Sequence, residues 1–135
     1  MNSLDLVKTA EKAMKKAYAP YSRFFVGAAL LCTDGTVYTG CNIENASFSP
    51  TICAERTAIF TAISDGHRDF EMIAIVGGRD GVADSFVYPC GVCRQVMREF
   101  CPDSFRLVLY DGKNISETTL GALLPCSFSK DNIKE

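Results

Sequence analysis

A regular alternation of strand-like and helix-like segments constrains the fold of this chain most. Residues 4–17 carry apolar side chains at helical spacing. Two strand-like runs, residues 24–32 and 37–43, flank an Asp-Gly pair that is typical of a hairpin turn. Helical and strand-like patterns then alternate along the rest of the chain, at residues 50–66, 71–76, 89–102, 106–110, near Ile115 and at 120–124.

Helices between strands imply crossover connections, and crossovers place helices on both faces of a sheet that is at least partly parallel. The sequence therefore predicts an α/β fold, a three-layer αβα sandwich around a mixed five-stranded sheet. We expect an N-terminal antiparallel hairpin, with the remaining strands parallel. Because the chain has 135 residues, we expect a single domain over residues 1–135.

Composition and charge exclude several classes of protein. Hydrophobic residues make up 47% of the chain and charged residues 22%, which is typical of a globular domain and not of a disordered one. The net charge is -2, so the basic surplus that nucleic-acid binding needs is missing. No apolar run approaches the roughly 18 residues of a membrane span, and the first residues do not resemble a signal peptide. We expect a cytoplasmic protein that binds neither nucleic acid nor membrane.

Seven cysteines point to metal chemistry, because an odd number without a secretory signal argues against a disulfide framework. Cys90 and Cys93 are three residues apart at the start of a predicted helix, a spacing that lets two thiols share one metal ion. Cys53 also begins a predicted helix and can supply a third sulfur ligand. Three protein ligands would leave the fourth position of a tetrahedral zinc open to water, as catalytic zinc requires.

Glu55 is the residue that separates a catalytic site from a structural one. Two residues after Cys53, its carboxyl group can turn back toward the metal and serve as a general acid and base. Alternatively, it is one of the exposed glutamates that are common in a first helical turn. A structural zinc module would instead need a fourth ligand, from Cys41, Cys101 or Cys126.

The two cysteine motifs belong to a longer pattern. The segments 53–55 (Cys-Ala-Glu) and 89–93 (Pro-Cys-Gly-Val-Cys) resemble the signature of zinc-dependent deaminases. Three further segments narrow the resemblance to one family of these deaminases: residues 18–22 (Tyr-Ala-Pro-Tyr-Ser), residues 40–45 (Gly-Cys-Asn-Ile-Glu-Asn) and the pair Arg94-Gln95. Over residues 3–129 the chain is similar to the small homotetrameric cytidine deaminases.

This resemblance implies an activity and a set of catalytic residues. The activity is the hydrolytic deamination of cytidine and 2'-deoxycytidine to uridine and 2'-deoxyuridine with release of ammonia, in pyrimidine salvage. Cys53, Cys90 and Cys93 would hold one zinc ion per subunit. Glu55 would transfer protons between the attacking water, ring N3 and the departing amine, and Arg56 would offset the negative charge of the thiolates.

The resemblance also implies how a nucleoside is bound. Phe24 would pack against the pyrimidine, and Asn42 and Glu44 would form hydrogen bonds with the ribose hydroxyls. The backbone N–H of Ala54 would donate to the base carbonyl oxygen. The aromatic side chain of Phe128 would reach the site of a neighbouring subunit. Phe48 stands where many family members carry tyrosine, so a hydrogen bond from that hydroxyl to the nucleoside is absent.

Two related activities are alternatives within the same chemistry. A deaminase for an aminonucleoside antibiotic would share the zinc motif, but the expected ribose contacts of Asn42 and Glu44 favour a nucleoside. A polynucleotide-editing deaminase is disfavoured because the chain has no basic channel and because such relatives commonly use histidine in place of Cys53.

Overall fold

The computed structural model describes residues 1–134; the last residue of the predicted domain, Glu135, lies outside the described residues. Four α-helices and five β-strands make up the fold, in the order α1 (Ser3–Met14), β1 (Phe24–Cys32), β2 (Val37–Cys41), α2 (Ala54–Ser64), β3 (Phe70–Arg79), α3 (Gly91–Phe100), β4 (Arg106–Tyr110), β5 (Ile115–Thr119) and α4 (Leu120–Leu123). A short 3-10 helix, Lys130–Asn132, follows them. None of the helices within residues 1–134 is both long and apolar enough to cross a bilayer.

The five strands form one mixed sheet, as the sequence predicts, and the structure shows their order to be β2-β1-β3-β4-β5. The N-terminal hairpin is antiparallel, and β1 also pairs antiparallel with β3. β3 and β4 run parallel. The expectation that the remaining strands are all parallel is wrong for β5, which pairs antiparallel with β4. Only residues 111–114 join these two strands, and a parallel pair would need a crossover of a dozen or more residues.

The helices cover both faces of the sheet, so the predicted three-layer arrangement is confirmed. On one face, the apolar stripe of α1 packs against β1, β3 and β4. On the other face, α2 and α3 pack over the second half of the core. Asn2 begins α1 with a capping box in which its side chain accepts from the Asp5 N–H and the Asp5 side chain accepts from the Asn2 N–H.

Two glycines let the helices approach the sheet closely. A Cβ at Gly27 in β1 would lie 2.1 Å from the carbonyl oxygen of Ala10 in α1. A Cβ at Gly40 in β2 would lie 2.5 Å from the carbonyl oxygen of Ala54 and from the backbone nitrogen of Ala58 in α2. Because no other residue lacks a Cβ, Gly40 fixes how closely the first turn of α2 sits on the sheet.

Strand direction brings the starts of α2 and α3 together. β2 and β3 are both antiparallel to β1, which lies between them, so they run in the same direction and end at the same edge of the sheet. α2 follows the end of β2, and α3 follows the end of β3. Their N-termini therefore open side by side at this edge, where β1 begins. The carboxyl ends of strands are where ligands bind in many α/β proteins.

Candidate active site

The three predicted metal ligands come together at these two helix starts. Cys53 is the N-cap residue of α2, and Cys90 is the N-cap residue of α3. Cys53 Sγ lies 3.7 Å from Cys90 Sγ, and Cys90 Sγ lies 3.5 Å from Cys93 Sγ. All seven cysteines are free thiols, so none of these contacts is a disulfide.

The spacing of the three sulfurs fits one zinc ion. A tetrahedral zinc with Zn–S bonds of ~2.3 Å holds its sulfur ligands about 3.8 Å apart, close to the separations found here. The three ligand atoms lie within 4.8 Å of one another. The helix N-termini contribute partial positive charge, which favours thiolates. The backbone N–H of Cys93, for example, donates to Cys90 Sγ at 3.4 Å.

Arg56 provides positive charge beside the sulfurs. Its Nη2 donates to Cys53 Sγ at 3.4 Å. Hydrogen bonds from the Cys93 thiol and from Arg56 lower the pKa of Cys53 to about 5. The surroundings of Cys53 therefore favour the thiolate form of its side chain. Arg56 Nε is buried and has no hydrogen-bond acceptor within residues 1–134.

Glu55 is buried, contrary to the alternative of an exposed glutamate in the first turn. Its exposed fraction is 4%, and burial together with the nearby Cys53 raises the pKa of its carboxyl group to about 7. α2 begins at Ala54, so Cys53 lies outside the regular helix in extended conformation. The carboxyl and the sulfur can therefore face one site although only one residue separates them.

A cavity of about 350 Å³ opens in front of the cysteines and Glu55. Seven of the ten residues predicted to form the site line it, namely Phe24, Asn42, Glu44, Cys53, Ala54, Glu55 and Cys90. Cys93 is fully buried behind Cys90, and Arg56 contacts the cluster from the side of Cys53. Ala54 is the first residue of α2, so its N–H has no acceptor within the helix and is available to a ligand.

Asn42 and Glu44 are held in place by the backbone around them. Asn42 Oδ1 accepts from Val26 N at 2.9 Å, and its Nδ2 donates to the carbonyl oxygen of Phe24 at 2.8 Å. One Nδ2 hydrogen and one lone pair of Oδ1 remain for a ligand. Glu44 Oε1 accepts from the N–H groups of Tyr21 and Ser22 at 3.0 and 3.1 Å. These bonds fix the direction of both side chains toward the cavity.

Phe128 is the one predicted residue that lies neither at this cavity nor at the cysteine cluster. Its ring is 62% exposed, and the contact that anchors the segment is a hydrogen bond from Gln95 Nε2 to the Phe128 carbonyl oxygen at 2.9 Å. An exposed ring on an anchored backbone is the arrangement that the predicted role in a neighbouring subunit needs. That role stays a prediction.

Sequence reasoning missed several residues that line the cavity. They are Ser22, Val26, Thr51, Ile52, Val87 and Tyr88. Tyr88 directly precedes the Pro89-Cys90 motif, a proximity that could have identified it. The positions of Thr51 and Ile52 depend on an isolated bridge between Ile43 and Ile52, which folds the loop after β2 back on itself and has no signature in the sequence.

Comparison with known proteins agrees with this geometry. The family model described as "Cytidine and deoxycytidylate deaminase zinc-binding region" matches residues 2–109. A cytidine deaminase from Sporosarcina psychrophila is 52% identical over 129 residues, which cover 95% of this chain and 92% of that protein. A blasticidin-S deaminase from Bacillus cereus is 33% identical over 132 residues, covering 95% and 93%.

A solved structure is similar to this chain in fold as well as in sequence. The crystal structure of cytidine deaminase from Burkholderia pseudomallei superposes with a TM-score of 0.87 at 45% identity, covering 95% of this chain and 100% of that one. The matched family model spans both cysteine motifs, and the three sulfurs of these motifs meet in this structure in a cluster that could hold one metal ion. The chain therefore belongs to the zinc-dependent cytidine deaminase family.

Proposed function

We propose that this protein catalyses the zinc-dependent hydrolysis of cytidine and 2'-deoxycytidine to uridine and 2'-deoxyuridine with release of ammonia. The observation that carries the proposal is a buried carboxyl group, that of Glu55, placed beside three cysteine sulfurs at a cavity large enough for a nucleoside. We assign the reaction to pyrimidine salvage in the cytoplasm, because the substrate is a free nucleoside.

Cys53, Cys90 and Cys93 hold the metal, and Arg56 compensates part of their negative charge. Zinc bound by these thiolates supplies the Lewis acidity that makes a hydroxide nucleophile available from water near neutral pH. A structural module closed by a fourth cysteine is disfavoured, since Glu55 would then be a buried carboxyl group without a task.

Glu55 is the proton carrier. Its carboxylate takes a proton from the attacking water and delivers it to ring N3 as the oxygen adds to C4. It then transfers the second proton of that water to the amino group as the C4–N bond breaks, so ammonia leaves and the 4-oxo pyrimidine remains. Burial raises the pKa of this carboxyl group above its usual value, which favours a group that both takes up and gives back a proton.

The remaining residues orient the nucleoside. The Ala54 N–H donates to the base carbonyl oxygen, and Phe24 packs against the pyrimidine. Asn42 and Glu44 bind the ribose hydroxyls, and Phe128 completes the site of a neighbouring subunit in a homotetramer. Support for the ribose contacts comes from their shared location in the cavity and from the backbone bonds that orient them.

The first test is an absorbance assay with the zinc-loaded protein. Mixing it with cytidine should lower the absorbance of the 4-aminopyrimidine and release one ammonia per cytidine consumed. Blasticidin S is the matched comparison substrate, because a relative of this chain is a deaminase named for it. Turnover of blasticidin S without turnover of either nucleoside would assign the antibiotic instead. Turnover of none of the three would contradict the proposal.

Ser22→Ala should weaken nucleoside binding more than it slows chemistry. Ser22 Oγ donates to Glu44 Oε2, and this hydroxyl is the main cause that lowers the pKa of Glu44. Losing a bond to a charged group, worth about 1.5 kcal/mol, should raise KM about tenfold with little change in kcat. Steady-state kinetics of Ser22→Ala and of Ser47→Ala, a matched control on the loop after β2, would measure this. A tenfold fall in kcat at constant KM would contradict it.

Phe48→Tyr should lower KM two- to tenfold, the gain expected from one added hydrogen bond of about 0.5–1.5 kcal/mol. Phe48 packs edge-to-face on Tyr21 at 6.0 Å between ring centroids, beside Glu44. Its ring is 74% exposed, so a hydroxyl group can be added without a clash. An unchanged KM would show that a tyrosine hydroxyl at this position does not reach the nucleoside.

A further inference from the structure

A second cluster of metal-ligand side chains lies at the edge of the sheet opposite the candidate active site. Cys32 ends β1, Asp34 lies in the turn of the hairpin, and His67 follows α2. A sulfur, a carboxylate oxygen and an imidazole nitrogen from these three residues lie within 4.8 Å of one another. Neither the proposed deamination nor the family signature uses any of them.

The end of α2 aims His67 at the hairpin. Gly66 has a φ of 98°, and its N–H donates to the carbonyl oxygen of Ile63 at 3.0 Å. The His67 N–H donates to the carbonyl oxygen of Ala62, also at 3.0 Å. These two bonds are the Schellman motif, which reverses the chain after the last turn of a helix. The imidazole is thereby directed toward the turn between β1 and β2.

Both nitrogens of His67 have polar partners. Nε2 lies 3.0 Å from Asp34 Oδ2, and Nδ1 lies 3.0 Å from the hydroxyl oxygen of Tyr38. The Tyr38 hydroxyl in turn donates to Asp65. Histidines that ligate metals almost always have their other nitrogen held by such an outer hydrogen bond, which fixes the ring and its tautomer. Tyr38 and Asp65 therefore supply the support that a ligand at Nε2 would need.

We propose that Cys32, Asp34 and His67 form a second divalent-metal site, suited to zinc or another cation that accepts sulfur, nitrogen and oxygen ligands. A tetrahedral zinc separates such ligand atoms by about 3.3–3.7 Å, so small side-chain rotations suffice. The side chain of Asp34 is 57% exposed, which leaves a fourth position to water. Binding replaces the Cys32 thiol proton, which is released to solvent, by the metal.

Such a metal would join three separate parts of the chain: the end of β1, the hairpin turn and the segment after α2. A cation also relieves the repulsion between the Asp34 carboxylate and the Cys32 sulfur. Burial first, and then the Asp34 charge, raise the pKa of the Cys32 thiol. A ligand that binds only the folded chain stabilises it by mass action, so the melting temperature should rise with zinc concentration beyond the first equivalent.

The test counts zinc in the zinc-loaded protein after equilibrium dialysis against free zinc. We expect two zinc ions per chain for the parent protein and one for Cys32→Ala and for His67→Gln. Cys126→Ala is the matched control, because Cys126 is an exposed thiol that could bind zinc adventitiously. The control should keep two. Tyr38→Phe should weaken the second site about tenfold, as loss of an outer hydrogen bond does.

Cobalt gives an independent readout on the same protein. Co²⁺ added to protein that holds one equivalent of zinc, at the three-cysteine site, should produce a thiolate-to-cobalt absorption band that Cys32→Ala abolishes and Cys126→Ala retains. If His67→Gln does not fold, Asp34→Asn replaces it as the test variant, because Asp34 is an exposed residue in the hairpin turn. This variant should reduce the band. The proposal is wrong if the parent chain binds only one zinc at saturation, or if the second zinc is lost with Cys126 and kept in Cys32→Ala.

Discussion

Glu55→Gln is expected to lower kcat for cytidine about 10²- to 10⁴-fold while the zinc ion of the three-cysteine site stays bound, because general acid–base catalysis contributes about that much. Glutamine preserves the size of the side chain and its burial, but it cannot take a proton from water at neutral pH. The three sulfurs are unaffected by the change. The measurement is steady-state deamination together with the zinc content of the same preparation.

Glu71→Gln is the matched control. Glu71 is an exposed residue near the amino end of β3, whereas the candidate active site lies where that strand ends. This variant should keep the kcat and the zinc content of the parent. If Glu55→Gln turned over cytidine at the parental rate with its zinc in place, Glu55 would not be the proton carrier, and the proposed mechanism would fail.

Cys93→Ser should remove the metal and, with it, the activity. Cys93 is fully buried, so water cannot easily reach its position and take the place of the sulfur as a metal ligand. A serine hydroxyl is a much harder and less acidic ligand than a thiol, and it holds zinc poorly. We expect the occupancy of the three-cysteine site to fall from one zinc ion per chain to near zero. Because metal catalysis supplies several kcal/mol, kcat should fall by at least about 10³-fold.

The control for this change is Cys126→Ser, on an exposed cysteine that lies outside the cluster. It should retain both the metal of the three-cysteine site and turnover. Circular dichroism would show whether Cys93→Ser still folds. A folded Cys93→Ser protein with its full zinc content and parental turnover would mean that another residue completes the metal site.

The sheet shows how far local patterns predict this fold. The apolar stripe of α1 and the Asp-Gly turn between β1 and β2 are local features, and the structure has both elements where the sequence predicts them. The direction of β5 is not local in the same sense. A pattern of strand formers does not say whether a neighbour is parallel, so the direction of β5 has to be inferred from the length of the connection at 111–114, which is too short for a parallel pair.

The candidate site divides in the same way. The sequence by itself determined which residue types could hold zinc, because Cys90 and Cys93 share one helical turn and Cys53 begins another helix. It also identified Glu55 beside them. That these motifs meet was decided by the tertiary structure, since it depends on β2 and β3 ending at the same edge and on the close approach that Gly40 allows.

Contacts between residues distant in sequence were decided only by the tertiary structure. The burial of Glu55, the backbone donors that orient Glu44, and the placement of Thr51 and Ile52 in the cavity have no local signature. Cys32 and His67 became neighbours because α2 spans the sheet from one edge to the other. Local patterns specify elements and ligand types, because they depend on nearby residues; burial and proximity depend on how the elements pack.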